Sequence, residues 1–360
     1  MLTALLVVGI LVFLIVVHEL GHFFAAKLFK VKVEEFGVGY PPRAFLIAVV
    51  KGTEYTLNWL PFGGFVRLFG EHGETNSRGS FVAAPKYAQA IILIAGVTMN
   101  ALAAWLLFAG ALSVGVPRQI TDRSQIEHAQ LLVNVVVPGS PADVAGIRVG
   151  DEVTDVRDEE GSAELAPAQV VSFVGDHGGK PIDITYRREE SVETITVIPA
   201  HAVVEQSADR PAIGLGLVLV TDDALSFGEA LKFSWGYTLN ALNETVNGLW
   251  KLVRDAAGGD PNLKDIVGPV GLFDFVGNAS RHGLGQVLML AGFISINLAV
   301  INLVPIPALD GGRLFLLGIE TIMRRPPNHL FVQALNLVGI LLIIFLMVTV
   351  TYNDIARLLA

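Results

Sequence analysis

The sequence predicts a polytopic α-helical membrane protein with four transmembrane helices, an inserted β-rich domain and a membrane-associated β-hairpin. Three observations predict it. Of 360 residues, 52% are hydrophobic and 16% charged, with a mean hydropathy of +0.57, too apolar for an ordinary soluble domain. The apolar residues gather near residues 2–17, 88–114, 287–304 and 331–350, each run close to the roughly 20 residues that a spanning helix needs. Between the second and third runs lies an acid-rich segment, residues 117–286, whose first part is cut by Pro and Gly into short β-branched stretches.

The first run has no basic residue before it and ends in His18-Glu19-Leu20-Gly21-His22, not in a small-residue cleavage site, so it is expected to stay as a helix. Residues 52–70 read as a hairpin beside the membrane face. Residues 54–59 alternate like a strand, and Pro61-Phe62-Gly63-Gly64 turns before Phe65-Val66-Arg67-Leu68. Later, Trp235, Leu239, Leu242, Val246, Leu249 and Val253 recur at helical spacing. That helix is too polar to span and is expected along the outer membrane surface; packing on the inserted domain is the alternative. The expected organisation is a membrane core over residues 1–116, the inserted domain over 117–222, the amphipathic helix and linker over 223–286, and a second membrane core over 287–360.

Charge orients the chain. Lys27, Lys30, Lys32, Arg43, Lys51, Arg67, Arg78 and Lys86 outnumber the acids between the first two runs, and Arg313, Arg324 and Arg325 follow the third. Basic loops stay cytoplasmic, so the acidic segment and both termini are expected outside. The same asymmetry, with a net charge of −9, argues against a nucleic-acid binder, which needs a concentrated basic surface. With no cysteine in the chain, a metal would be held by His, Asp or Glu.

His18-Glu19-Leu20-Gly21-His22 supplies such ligands, because residues four apart share a helix face and Glu19 lies beside them. A catalytic zinc commonly takes three protein ligands and leaves a fourth position for water. Asp310, in Leu309-Asp310-Gly311-Gly312, follows the third apolar run, whose end the expected topology brings to the same side as His22. A helix-end Asp-Gly turn is the alternative there. A zinc ion at this place would activate water, with Glu19 as the proton carrier.

Residues 18–22, Pro61-Phe62-Gly63-Gly64-Phe65-Val66, Ala95-Gly96 with Asn100, and the run from Asn302 to Gly312 together resemble the site-2 protease family (peptidase M50), specifically bacterial regulators of the RseP type. The resemblance covers nearly the whole chain. It implies a zinc-dependent intramembrane endopeptidase with one zinc ion per chain on His18, His22 and Asp310, and Glu19 as general base. It further implies that Asn100 sits near the scissile carbonyl, that Asn297 and Asn302 contact an unwound substrate strand, and that Pro305 and Pro307 break the helix beside the zinc. Val97 stands where the family usually has proline, which leaves interhelical hydrogen bonding as the alternative for Asn100, Asn297 and Asn302. His72 matches no ligand position. A membrane helix must unwind before it is cut, and the hairpin edge at Gly63, Gly64 and Phe65 is suited to hold the unwound strand by β-addition; a plain tight turn is the alternative.

Residues 131–153, with Val137-Pro138-Gly139-Ser140-Pro141-Ala142 and Gly150-Asp151, closely resemble a bacterial PDZ domain, and the chain has room for one. Such a domain captures C-termini or excludes bulky ectodomains; no basic carboxylate clamp is evident. The resemblance implies single-span membrane proteins as substrates: anti-sigma factors trimmed by an upstream site-1 protease, and signal-peptide remnants. It implies a multi-pass protein among the lipids of the bacterial cell (inner or plasma) membrane, with the PDZ domain extracytoplasmic and the active site toward the cytoplasm. A non-enzymatic membrane PDZ adaptor is the rival, and it would not need Glu19.

Overall fold

Nothing between Leu2 and Leu28 breaks a helix, so α1 (Leu2–Leu28) runs on past its apolar stretch and carries His18, Glu19 and His22 in its last third. The structure, a computed structural model, describes residues 2–71, 77–120, 129–188, 191–201, 203, 210–259, 268–325 and 328–359. They form two compact units, one of Met1–Val114 with Leu225–Ala360 and one of Gly115–Ala224.

In the first unit, β1 (Val33–Val50) and β2 (Thr53–Leu68) follow α1. The hairpin therefore begins well before residue 52. Both strands bend, so that residues 33–38 pair with residues 64–68 on one side and 54–57 on the other, while residues 43–50 pair back onto 53–58. Pro41 and Pro42 make this stretch look unlike a strand, since proline cannot donate to a ladder. They sit where the register shifts between Val38 and Arg43, so the unpaired positions of the bulge accommodate them. Helix α2 (Lys86–Val114) then packs on α1.

The second unit is a six-stranded antiparallel sheet, built from β3 (Arg118–Ile120), β4 (Gln130–Val136), β5 (Glu152–Arg157), β6 (Ile182–Arg188), β7 (Ser191–Val197) and β8 (Leu215–Thr221) in the order β3-β8-β4-β5-β6-β7. Alternation places Ile182, Ile184 and Tyr186 of β6 inward against Leu131 and Val133 of β4. Two short helices complete it. In α3 (Pro141–Val144) the Ser140 hydroxyl accepts from the Asp143 amide, and Pro141 opens the first turn; α4 (Pro167–Asp176) buries Val170 and Val174.

In the first unit, α5 (Phe227–Ala257) lays the small side chains Ala230, Ser234, Thr238 and Ala241 against α2 and α7 (Leu284–Leu303). Small residues permit that close approach, while Trp235, Leu239, Leu242 and Val246 remain exposed along its length. Helix α6 (Pro269–Arg281) starts on Asp354, whose carboxylate accepts from the Gly268 and Gly271 amides at 3.2 and 2.8 Å. The remaining helices are α7 (Leu284–Leu303), α8 (Asp310–Met323) and α9 (His329–Leu359), and Asp354 belongs to the last. Four of the described helices are long and apolar enough to cross a membrane: Thr3–Leu28, Lys86–Val114, Leu284–Leu303 and Leu330–Ala356.

Candidate metal centre

On α1 the four-residue spacing turns His18 and His22 to one side, their rings edge to face at 4.8 Å between centroids. Asp310 reaches the same spot from the first turn of α8, where the helix dipole favours a carboxylate. The turn that delivers it is tight. Ala308 has φ 77, and side chains at Gly311 and Gly312 would collide with the Leu303 and Ile306 carbonyls. Asp310 Oδ2 lies 2.9 Å from His18 Nε2 and 3.2 Å from His22 Nε2, with the two Nε2 atoms 3.1 Å apart.

These three groups could hold one ion. In a tetrahedral zinc site with bonds of about 2 Å the ligand atoms stand roughly 3.3 Å apart, so the observed separations need open by only a few tenths of an ångström. The orientation of His22 also fits, because its Nδ1–H donates to the Ile92 carbonyl at 2.7 Å, leaving a lone pair on Nε2 facing Asp310. His18 and His22 are buried. Helix α2 makes room through Gly96: a Cβ there would stand 2.6 Å from His22 Nε2 and 2.7 Å from His18 Nε2.

Glu19 adjoins the cluster from the next position on α1, and the hairpin closes on it: a Cβ at Gly64 would lie 3.4 Å from Glu19 Cγ. Gly63, with φ 109, lies under the Tyr40 ring, and Phe65 follows on β2. Asn100, fully buried on α2, places its amide nitrogen 3.4 Å from His18 Nδ1. Asn297 lies further along α7, where its Oδ1 accepts from Thr245 of α5 at 3.1 Å. Asn302 is half-buried in the last turn of α7, and Pro305 and Pro307 lie in the turn before Asp310. His72 lies outside the described residues. Two features are not read from the motifs. One is the reason for Gly96, which the second-helix motif contains without showing that two rings need its space; the other is an ion pair between Arg313 of α8 and Glu71, just beyond β2.

The model of peptidase family M50 matches residues 6–346. A Clostridium perfringens protein is 35% identical over 344 residues, covering 95% of either chain. A Fusobacterium nucleatum protein is 30% identical over 357 residues, 99% of this chain and 98% of its own. The names of both record an inferred zinc metalloprotease. Among solved structures, the PDZ domain of an SdrC-like protein from Listeria monocytogenes is similar to 26% of this chain and 90% of its own, at 17% identity and a TM-score of 0.22. By the family match over nearly its whole length and the similarity to these relatives, the chain belongs to peptidase family M50.

Proposed function

We propose that this peptidase is a zinc-dependent intramembrane endopeptidase, which hydrolyses peptide bonds in the transmembrane segments of single-span membrane proteins. The observation that carries this is the meeting of His18, His22 and Asp310 at one end of a spanning helix, with Glu19 alongside. His18, His22 and Asp310 would hold a zinc ion, which would supply polarisation of the substrate carbonyl and acidification of the attacking water. The Glu19 carboxylate takes a proton from the attacking water and delivers it to the leaving amine. The His18 and His22 rings are themselves buried, which limits their exposure to bulk water.

An intact helix offers no free peptide groups, so the substrate must be held unwound. Residues 64–68 form one margin of the bent hairpin, and Gly64 packs against Glu19. That placement supports strand addition along Gly63, Gly64 and Phe65, with Asn297, Asn302, Pro305 and Pro307 contacting the unwound strand from the other side. The sheet unit is a single PDZ domain outside the cytoplasm, and the basic loops keep the metal end of α1 on the cytoplasmic side of the bacterial cell membrane. Substrates are anti-sigma-factor-like proteins first trimmed by another protease, and signal-peptide remnants.

Metal analysis and a cleavage assay on the purified full chain test the reading. His22→Ala should lose zinc, whereas Glu19→Gln should keep it and lose proteolysis. In cells, membrane fragments that accumulate only with Glu19→Gln would identify substrates. Undiminished zinc in folded His22→Ala, or undiminished cleavage by Glu19→Gln, would sink it.

A further inference from the structure

His18 meets the cluster through Nε2, 2.9 Å from Asp310 Oδ2. A neutral imidazole carries one N–H, so Nε2 presents a lone pair only when Nδ1 holds the hydrogen. The partner of the second ring nitrogen therefore decides whether the ring is a ligand. For His22 that partner is the Ile92 carbonyl, which can only accept. For His18 it is Asn100, an amide that can accept or donate according to which end faces the ring.

Asn100 is completely buried, and its Oδ1 has no hydrogen-bond partner among the described residues. Its backbone is tied down, because Ser295 of α7 donates to the Asn100 carbonyl at 2.7 Å. A half-turn about Cβ–Cγ exchanges the amide ends, which are nearly equal in size. With nitrogen toward the ring, Nδ1 must accept, and the imidazole hydrogen then sits on Nε2, where it blocks metal binding. With oxygen toward the ring, Oδ1 gains a donor and Nε2 is freed.

We propose that Asn100 is a positioning residue for His18: its amide oxygen accepts the Nδ1–H and holds the ring in the tautomer whose Nε2 can bind a metal ion. This rests on the zinc-peptidase reading. Asn100 approaches the ring nitrogen remote from Asp310, so it acts through His18 and not on the substrate.

Zinc affinity of the full chain in detergent, measured by chelator competition, tests it, with the absorption spectrum of the cobalt(II)-substituted protein as a second readout. Removing an outer-shell partner commonly costs about 10–100-fold in metal affinity. Asn100→Ala should weaken zinc in that range and alter the cobalt spectrum. Asn100→Asp, which keeps an acceptor in place, should stay within about threefold of the parent. Asn100→Leu, similar in size and without an acceptor, should behave like Asn100→Ala and serves if the smaller side chain unfolds the protein. Parental affinity in folded Asn100→Ala or Asn100→Leu overturns the proposal. So does an Asn100→Asp protein as weak as Asn100→Ala, since shape and not the acceptor would then matter. A parent chain without His22-dependent zinc overturns the underlying reading instead, and is told apart because it shows before any Asn100 variant is compared.

Discussion

Gly96 and Gly21 let α1 and α2 meet at the level where two imidazoles must also fit. A Cβ on Gly96 would enter the space of both Nε2 atoms, and one on Gly21 would strike the Ala95 carbonyl. Overpacking of this kind commonly costs about 1–3 kcal/mol, and here the atoms forced aside are the proposed ligands themselves. Gly96→Ala is therefore expected to lower zinc affinity by about 10–100-fold and to abolish cleavage. Gly9→Ala on α1, with nothing within 4 Å of the added methyl, should change neither. Zinc titration of the two variants checks this, and parental zinc affinity in Gly96→Ala would show that the rings move aside freely. The nearness of His18 to His22 is legible in their spacing, because helical periodicity is local. The requirement at Gly96 is not, since it arises from a facing helix some 70 residues away in sequence, as with Ile92 and His22.

Elements were legible where one physical signal dominated. The four apolar runs fall on the four described helices that are long and apolar enough to cross a membrane, because length and hydropathy alone define such a segment. Their ends were less so: hydropathy falls after Val17, yet Leu20, Phe23 and Ala25 continue the helix to Leu28. The hairpin was half legible, since Pro41 and Pro42 mask β1. In the sheet unit, the loop after β5 is fastened to the end of α4 by one contact that composition does not reveal. His177 Nδ1–H donates to the Phe173 carbonyl at 2.6 Å, and Nε2–H to Asp158 at 2.8 Å. The Phe173 carbonyl, then the Asp158 carboxylate, raise the imidazole above its ordinary value against the cost of desolvation. Asp158 is lowered despite desolvation, by the Gly161 and Glu160 amides and by His177. The His177 contribution to stability is thus fully present below about pH 6.5 and lost as pH rises through its raised folded value. The Asp158 contribution is present above about pH 4 and lost as pH falls through its depressed value. The melting temperature of the parent should exceed that of His177→Gln most clearly between those limits, with the gap closing as pH rises. A gap that widens above neutrality would contradict the doubly bonded imidazolium.

At the scale of the whole molecule, the chain enters and leaves the sheet unit at one place on the membrane unit. The Leu225 amide donates to the Leu112 carbonyl at 3.0 Å, so the end of α2 and the start of α5 already touch. An insertion with adjacent ends can be excised and bridged by a short linker without pulling its host apart. His18, Glu19, His22 and Asp310 all belong to the membrane unit. A chain lacking residues 115–224 is therefore expected to fold, to bind zinc as the parent does, and to cut trimmed substrate. If the sheet unit restricts access, the shortened enzyme should also begin to cut substrates that still carry a large ectodomain, because the obstacle to their approach would be gone. If it recruits substrate instead, cleavage of the trimmed form should fall and recover as substrate concentration is raised, since capture by a peptide-binding domain acts on effective concentration and not on the chemical step. Cleavage assays on trimmed and untrimmed forms, at two substrate concentrations, separate these outcomes. A stable, zinc-loaded shortened enzyme that still rejects the untrimmed form would rule out the access role, because selection by size would then have to reside in the membrane helices.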